Sequence, residues 1–223
     1  MGKHGISFYK TNTIAAAGTI EVVPPPGQGY QECGLTGKTT ATESGLSGTT
    51  TYYIYVAING GVSTEYSITT VATTTFAGII ALLGAAISGV TFSIVNGDFR
   101  CTSNSTAAGS AVELADGDTG TGLLATLTGF SALETAVKPS GGGCAITSID
   151  VDISAFADTG VLSITDGTTT WFGPWLCKDG NGNHIEKRWS AEDPFMLPAN
   201  KGLYLVGATA NVGARCTVKG YYP

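Results

Sequence analysis

The stretch Tyr52-Tyr-Ile-Tyr-Val-Ala-Ile58, followed by Asn59-Gly60-Gly61 and Val62-Ser-Thr-Glu-Tyr-Ser-Ile68, decides the fold class. Side chains in a strand alternate between two faces, so Tyr52, Ile54, Val56 and Ile58 share one face, and Val62, Thr64, Tyr66 and Ile68 share one face of the return strand. Asn59-Gly60 supplies the positive φ values that a two-residue hairpin turn requires. The period then changes. Phe76, Ile79, Ile80, Leu83 and Ile87 fall at helical spacing, with threonine hydroxyls at 73–75 to cap the start and Gly89 to stop the end. Val90, Phe92 and Ile94 return to alternation, Asn96-Gly97 turns, and Phe99 and Cys101 alternate back. Ala111–Leu114 reads as a further strand and Leu123–Leu127 as a helical turn.

Working outward, residues 1–36 read as an extended arm. Pro24-Pro25-Pro26-Gly27 is stiff and belongs neither in a helix nor in a central strand. Ile20–Val23 is a short strand candidate, and the arm is either a free linker or a segment ordered on a neighbouring subunit. A hairpin–helix–hairpin α+β module follows over 37–138. Pro139-Ser140-Gly141-Gly142-Gly143 is a flexible joint over 139–143. Residues 144–223 are all-β: Ile149, Val151 and Ile153 alternate with Asp150 and Asp152. Val161–Ile164 runs into Asp166-Gly167, and Leu203–Val206 and Arg215–Lys219 are late strands. Short strands separated by Gly/Asp turns indicate a sandwich. The expected class is therefore mainly β with one or two short helices.

Composition narrows the function. Charged residues make up 13% of the chain and the net charge is −6, against about 25% charged in ordinary soluble domains. Gly, Thr, Ser and Ala fill the difference, giving a neutral, hydroxyl-rich surface suited to contact with other subunits. No basic stripe exists, which excludes an electrostatic nucleic-acid footprint. The segment 71–98 is uncharged until Asp98, but Gly78, Gly84 and Gly89 interrupt it, Ser88, Thr91 and Ser93 dilute it and no Lys or Arg flanks its apolar stretch closely, so no membrane span is expected. The N-terminus lacks the apolar core of a signal peptide. The five Cys, at 33, 101, 144, 177 and 216, fit neither a zinc spacing nor a disulfide framework and read as buried thiols.

Sites of chemistry are sparse. Gly34-Leu-Thr-Gly37-Lys38-Thr39 resembles a phosphate loop, but Glu32 stands where the first Gly is needed. Asp179-Gly-Asn181-Gly-Asn183 resembles the start of a calcium loop, but His184 and Ser190 occupy positions that call for Gly and Glu. Glu186, Glu192 and Asp193 specify no glycosidase pair, and no serine sits in a nucleophile elbow. No catalytic residue, cofactor or metal is assigned, and the chain is not read as an enzyme. All three tryptophans, Trp171, Trp175 and Trp189, lie within nineteen residues, next to Arg188. Together with Tyr30 of the arm these are the candidate contact residues. The Trp cluster could form an intersubunit anchor, a sugar-stacking platform or part of the sandwich core.

The order Ile58-Asn59-Gly60, the helix Phe76–Ile87, the hairpin Val90–Cys101 around Asn96-Gly97-Asp98 and the run Thr102–Leu114 resembles the flagellin hook IN motif of hook-associated proteins and related modules of phage head and tail proteins. The resemblance covers about 80 residues and carries no catalytic residues; it implies a structural module of a polymeric assembly. The long heptad helices that flank such modules in flagellins are missing here. Phe195–Val206, closing at Val218–Tyr221, looks like the small jelly-roll-type domains of phage head-decoration and tail proteins. These resemblances imply a virion protein made in the host cytoplasm. The expected role is a capsid decoration, cement or head-surface protein, as a homotrimer partnered by capsid proteins. A tail, collar or fibre component and a host-surface glycan-binding module are the alternatives.

Overall fold

The computed structural model describes residues 6–14, 18–71, 74–107, 109–137, 143–155, 160–177, 184–190, 192–198, 201–207 and 213–222. In chain order the strands are β1 (Ile6–Ile14), β2 (Gly18–Val23), β3 (Tyr30–Cys33), β4 (Thr51–Ile58), β5 (Thr64–Thr69), β6 (Val90–Val95), β7 (Asp98–Ser103), β8 (Val112–Asp116) and β9 (Thr121–Gly122). They continue with β10 (Cys144–Ala155), β11 (Gly160–Thr165), β12 (Thr170–Cys177), β13 (His184–Arg188), β14 (Phe195–Leu197), β15 (Leu203–Gly207) and β16 (Gly213–Tyr222). One α-helix, α1 (Phe76–Ala86), and one 3-10 turn, Leu124–Thr126, accompany them. The fold is mainly β, and its sheets are antiparallel apart from the short β4–β9 pair.

The chain divides into two compact units, one formed by 27–141 and the other by 1–26 together with 142–223. The described residues among the first 36 therefore form paired strands rather than an arm. All nine residues of β1 pair with β16, from Ile6 opposite Tyr222 to Ile14 opposite Ala214, and β2 pairs with β15. The physical reason is that Ile6–Ile14 is rich in β-branched and aromatic residues and finds its partner at the far end of the chain, where no local pattern announces it. Pro24-Pro25-Pro26 ends β2 and marks the passage from one unit into the other. Of the expected joint at 139–143, residues 139–142 lie outside the described residues.

In the unit 27–141, the local signals of the sequence correspond to local structure. Asn59 and Gly60 have φ of 53° and 73°, and Asn96 and Gly97 have 53° and 95°, the left-handed pairs of tight hairpin turns. They join β4 to β5 and β6 to β7. Thr75 caps α1, its hydroxyl accepting from the Gly78 N–H at 3.3 Å. Phe76, Ile79 and Leu83 turn one helix face into a core that also takes Ile54, Val56, Phe92, Phe99, Val112 and Leu124. The two hairpins belong to different sheets, β5-β4-β8 and β3-β7-β6. Val62, expected to share a face of the second strand with Thr64, Tyr66 and Ile68, lies before β5, which begins at Thr64, and is 89% exposed. α1 has 11 residues, and among the described residues no helix is long and apolar enough to cross a membrane.

Two polar side chains lock this unit. Arg100 is buried and pairs with Glu32 directly across the β3–β7 ladder, Nη2 to Oε1 at 2.6 Å, while its guanidinium lies 4.4 Å from the Tyr30 ring centroid. Removing one partner of such a buried pair costs about 3–5 kcal/mol, because the other charge is left desolvated. Gln31 accepts from the Leu114 N–H at 2.6 Å and donates to the Glu134 carbonyl at 2.7 Å, tying β3 to β8 and to the following segment.

In the other unit, a sheet of order β1-β16-β10-β13, with β14 also on β10, and a sheet of order β12-β11-β15-β2 share one core. Ile146, Ile149, Val151 and Ile153 of β10 and Cys216 and Val218 of β16 come from the first sheet. Leu162, Ile164, Leu203, Leu205 and Val23 come from the second. Cys33, Cys101, Cys144 and Cys216 are free and buried. Desolvation pushes the Cys33, Cys144 and Cys216 thiols up to about 12, so they pack as apolar groups and not as nucleophiles. The loop between β11 and β12 is held by Asp166. Its Oδ1 accepts from the Thr169 N–H (2.7 Å), the Thr168 N–H (2.9 Å) and the Thr168 hydroxyl (2.8 Å).

Two predictions follow from these ladders. Deleting residues 1–26 removes β1 and β2 from both sheets of the terminal unit. Hydrogen exchange of that variant is expected to find β10 and β16 amides unprotected while β4, β7 and α1 stay protected; persistent protection of β10 and β16 would refute the pairing. The Thr169 and Thr168 N–H groups hold the Asp166 carboxyl well below the usual carboxylate range. A depressed folded-state pKa adds stability that is complete above the unfolded value of about 3.9 and is lost as pH falls through the folded one. Asp166→Asn is therefore expected to lower the urea midpoint at neutral pH, with the gap to the parent narrowing below about pH 4. A gap independent of pH would contradict it.

Candidate functional site

Two features of the terminal unit concentrate chemistry: a seam of aromatic rings, and a charged outer face.

The seam arises from irregular pairing. On β12, Thr170 stands opposite Thr165 and Phe172 opposite Ile164, which leaves Trp171 as an extra residue. Such a bulge turns neighbouring side chains toward the same side of a sheet. A second irregularity follows at Gly173-Pro174, before Trp175 pairs with Leu162. Pro174 is tolerated because β12 is the outermost strand of its sheet, where a missing N–H breaks no inner ladder. Trp171 and Phe172 then meet Phe195 of β14 at ring-centroid distances of 5.1 and 5.4 Å, both edge-on. Trp189 lies 5.5 Å from Phe195 and 5.5 Å from Phe172, and its N–H donates to the Thr147 carbonyl at 2.9 Å. Trp171, Phe172, Trp175, Trp189 and Phe195 are all part-buried against the sandwich core. Among the described residues the buried Trp171 indole Nε1 has no hydrogen-bond partner, a desolvation cost of about 1–3 kcal/mol that the packing of the rings must outweigh.

Of the expected contact residues, the structure thus gathers Trp171 and Trp189 in one ring cluster and places Trp175 on the same strand as Trp171. Arg188 ends β13, is exposed and pairs with Glu186. Tyr30 belongs to the other unit: it is 4% exposed, on β3, under Arg100. It is an internal residue there and not the tip of an arm.

The charged face groups residues that the sequence had not brought together. β13 is not among the expected strands; His184–Arg188 reads as polar loop because Ile185 is its one apolar residue. Paired with β10, it alternates as that strand does. Ile185 joins the core, and His184, Glu186 and Arg188 point outward beside Asp152, Asp150 and Ser148 respectively. On the other side of β10, Asp152 stands opposite Arg215 and Asp150 opposite Thr217. The Arg215 Nη2 donates to Asp152 Oδ2 at 2.8 Å, and the His184 Nδ1–H donates to Asp152 Oδ1 at 2.8 Å. Arg215 and then His184 lower the Asp152 pKa, so that carboxyl is an acceptor only. The His184 Nε2 faces Asp150 Oδ1 at 4.0 Å. Ligand atoms of Asp150, His184 and Glu186 all lie within 4.8 Å of one another. The visible sequence signal was the Asp150/Asp152 alternation; its partners come from strands far along the chain. The calcium-like run 179–183 lies outside the described residues.

Comparison with known proteins finds no matching protein-family model and no matching curated protein. Among solved structures the chain is similar to the D1-D2-D3 domains of the flagellar cap protein FliD from Escherichia coli. Identity is 16% and the TM-score 0.33, with 96% of this chain and 54% of that chain covered. This chain thus spans about half the length of that structure.

Phe195 is the ring that touches three others, so Phe195→Ala is expected to destabilise the terminal unit by about 2–3 kcal/mol, below the range for fully buried Phe because the site is part-exposed. Denaturant unfolding followed by tryptophan fluorescence measures it. A change within about 0.5 kcal/mol, the range of ordinary surface substitutions, would show that the rings are not mutually supporting.

Proposed function

We propose that this chain is a structural component of a phage particle, a capsid decoration, cement or head-surface protein that works through subunit interfaces as a homotrimer. The observation that carries this reading is the aromatic seam. Four rings, Trp171, Phe172, Trp189 and Phe195, pack on one another against the sandwich core and stay part-exposed, with Trp175 on the same strand as Trp171, on a chain with 13% charged residues. Aromatic and Arg side chains dominate interface energetics, and a neutral, hydroxyl-rich surface can be buried with little desolvation of charge. Interfaces of about 1,600 Å² repeated around a shell would hold such a protein firmly. The buried, inert thiols and the ring and polar locks within each unit suit a protein whose task is to stay folded and attached.

The glycan-binding alternative is less well supported. A sugar stacks on an open ring face, whereas Trp171, Phe172, Trp189 and Phe195 pack on one another. The tail, collar or fibre alternative differs in copy number. Quantitative mass spectrometry of purified particles is expected to find the chain in many copies per particle, at a fixed ratio to the main shell protein. A few copies would move it to the tail, and absence from particles would overturn the proposal. Trp175→Ala is expected to weaken attachment to particles while leaving the fold intact by circular dichroism; undiminished attachment would rule out the seam as the contact.

A further inference from the structure

The outer face of the β16-β10-β13 sheet carries an arrangement that the interface reading does not use. Asp150 and Glu186 are directly opposite each other on adjacent strands, an unfavourable placement for two carboxylates unless a cation lies between them. Glu186 is already paired with Arg188, so a metal ion on this face competes with that guanidinium for the carboxylate. The imidazole is the decisive group. Its Nδ1–H is committed to Asp152, and Asp152 is itself held by Arg215. In the neutral ring this leaves the lone pair on Nε2, the atom that faces Asp150 at 4.0 Å. With the ring neutral, Nε2 and Asp150 Oδ1 are both acceptors, and ligand atoms of Asp150, His184 and Glu186 all lie within 4.8 Å of one another.

A carboxylate that fixes one imidazole nitrogen and leaves the other to a metal is the usual outer support of a histidine ligand. Ligand atoms around a tetrahedral ion at about 2.0–2.2 Å lie about 3–3.5 Å apart. Closing that gap requires the exposed Glu186 carboxylate to turn from Arg188 toward Nε2 while the Asp152 bond holds the imidazole. The donor set selects the ion. Imidazole nitrogen favours borderline first-row divalent ions over Ca²⁺ and Mg²⁺, which prefer an all-oxygen shell. We propose that Asp150, His184 and Glu186 bind one divalent transition-metal ion of the Zn²⁺ class on the outer face of this sheet, with Asp152 positioning the imidazole. The three side chains leave the remaining coordination positions to water or to a group brought by a neighbour. The site is independent of the role in a particle.

Isothermal titration of the full chain with Zn²⁺ at neutral pH is the test. The expected result is one equivalent bound per chain, weakened roughly tenfold or more by His184→Gln and by Glu186→Gln. His4→Gln is expected to leave binding unchanged, and a large excess of Ca²⁺ not to displace the ion. In the same experiment, nitrogen NMR of the parent is expected to move the His184 Nε2 resonance on Zn²⁺ addition while Nδ1 keeps its proton, a readout that needs no variant to fold. No uptake by the parent, uptake insensitive to both variants, uptake lost with His4→Gln, or displacement by Ca²⁺ would each overturn the assignment.

Discussion

The terminal unit depends on β16 lying between β1 and β10. Each of its edges is taken, by Ile6–Ile14 on one side and by Cys144–Ala155 on the other, so the strand is buried in hydrogen bonds along nearly its whole length. Everything else in that unit is arranged around it: Ala214, Cys216 and Val218 point into the core, and Arg215 reaches across to Asp152 on the outer face. The consequence for the chain is nesting. The unit 27–141 lies in sequence between β2 and β10, so the sheet that holds β16 closes only around an already long insertion. Loop-closure entropy rises slowly with length, which makes the arrangement affordable at equilibrium. Its cost is kinetic, since pairings of such sequence separation form late.

That nesting explains what could be read from the sequence and what could not. Asn59-Gly60 and Asn96-Gly97 are legible because a tight turn is set by the φ of two residues. α1 is legible because Thr75, the 3.6-residue period and Gly89 are all local. The Ile149/Val151/Ile153 alternation of β10 is legible for the same reason. β1 is not, because its partner is the last strand and nothing near Ile6–Ile14 distinguishes a paired strand from a free arm. Tyr30 is hidden in a related way, because β3 pairs with β7 about seventy residues on. Once Glu32 is known to pair with Arg100 across β3–β7, the ring beneath the guanidinium has to be internal. β13 fails differently: with one apolar residue in five it has no amphipathic signal of its own, and its conformation is imposed by β10.

In the candidate sites, residue type was legible and grouping was not. Three tryptophans close together in sequence announced an aromatic cluster, but its central ring is Phe195, which no spacing rule would select. The bulge at Trp171 brings adjacent residues to one side, against the alternation on which strand reading relies. The outer face shows the converse. Asp150 and Asp152 were visible as outward residues of β10, while His184, Glu186 and Arg215 become their neighbours only through register.

β13 joins the two features. Its inward residue, Ile185, packs on the core, and the chain leaves the strand directly into Trp189, which holds Phe172 and Phe195. Its outward residues, His184 and Glu186, face Asp152 and Asp150. Among the described strands it is held by β10 alone, so its position rests on one ladder of hydrogen bonds, one apolar side chain and the charges on its outer face. Any change that strengthens attraction between His184, Glu186 and the β10 aspartates therefore also steadies the backbone that carries Trp189, and any change that restores carboxylate repulsion loosens it. The aromatic seam and the charged face lie on opposite sides of this one edge strand, whose ladder to β10 holds the backbone of both His184 and Glu186 on one side and Ile185 on the other.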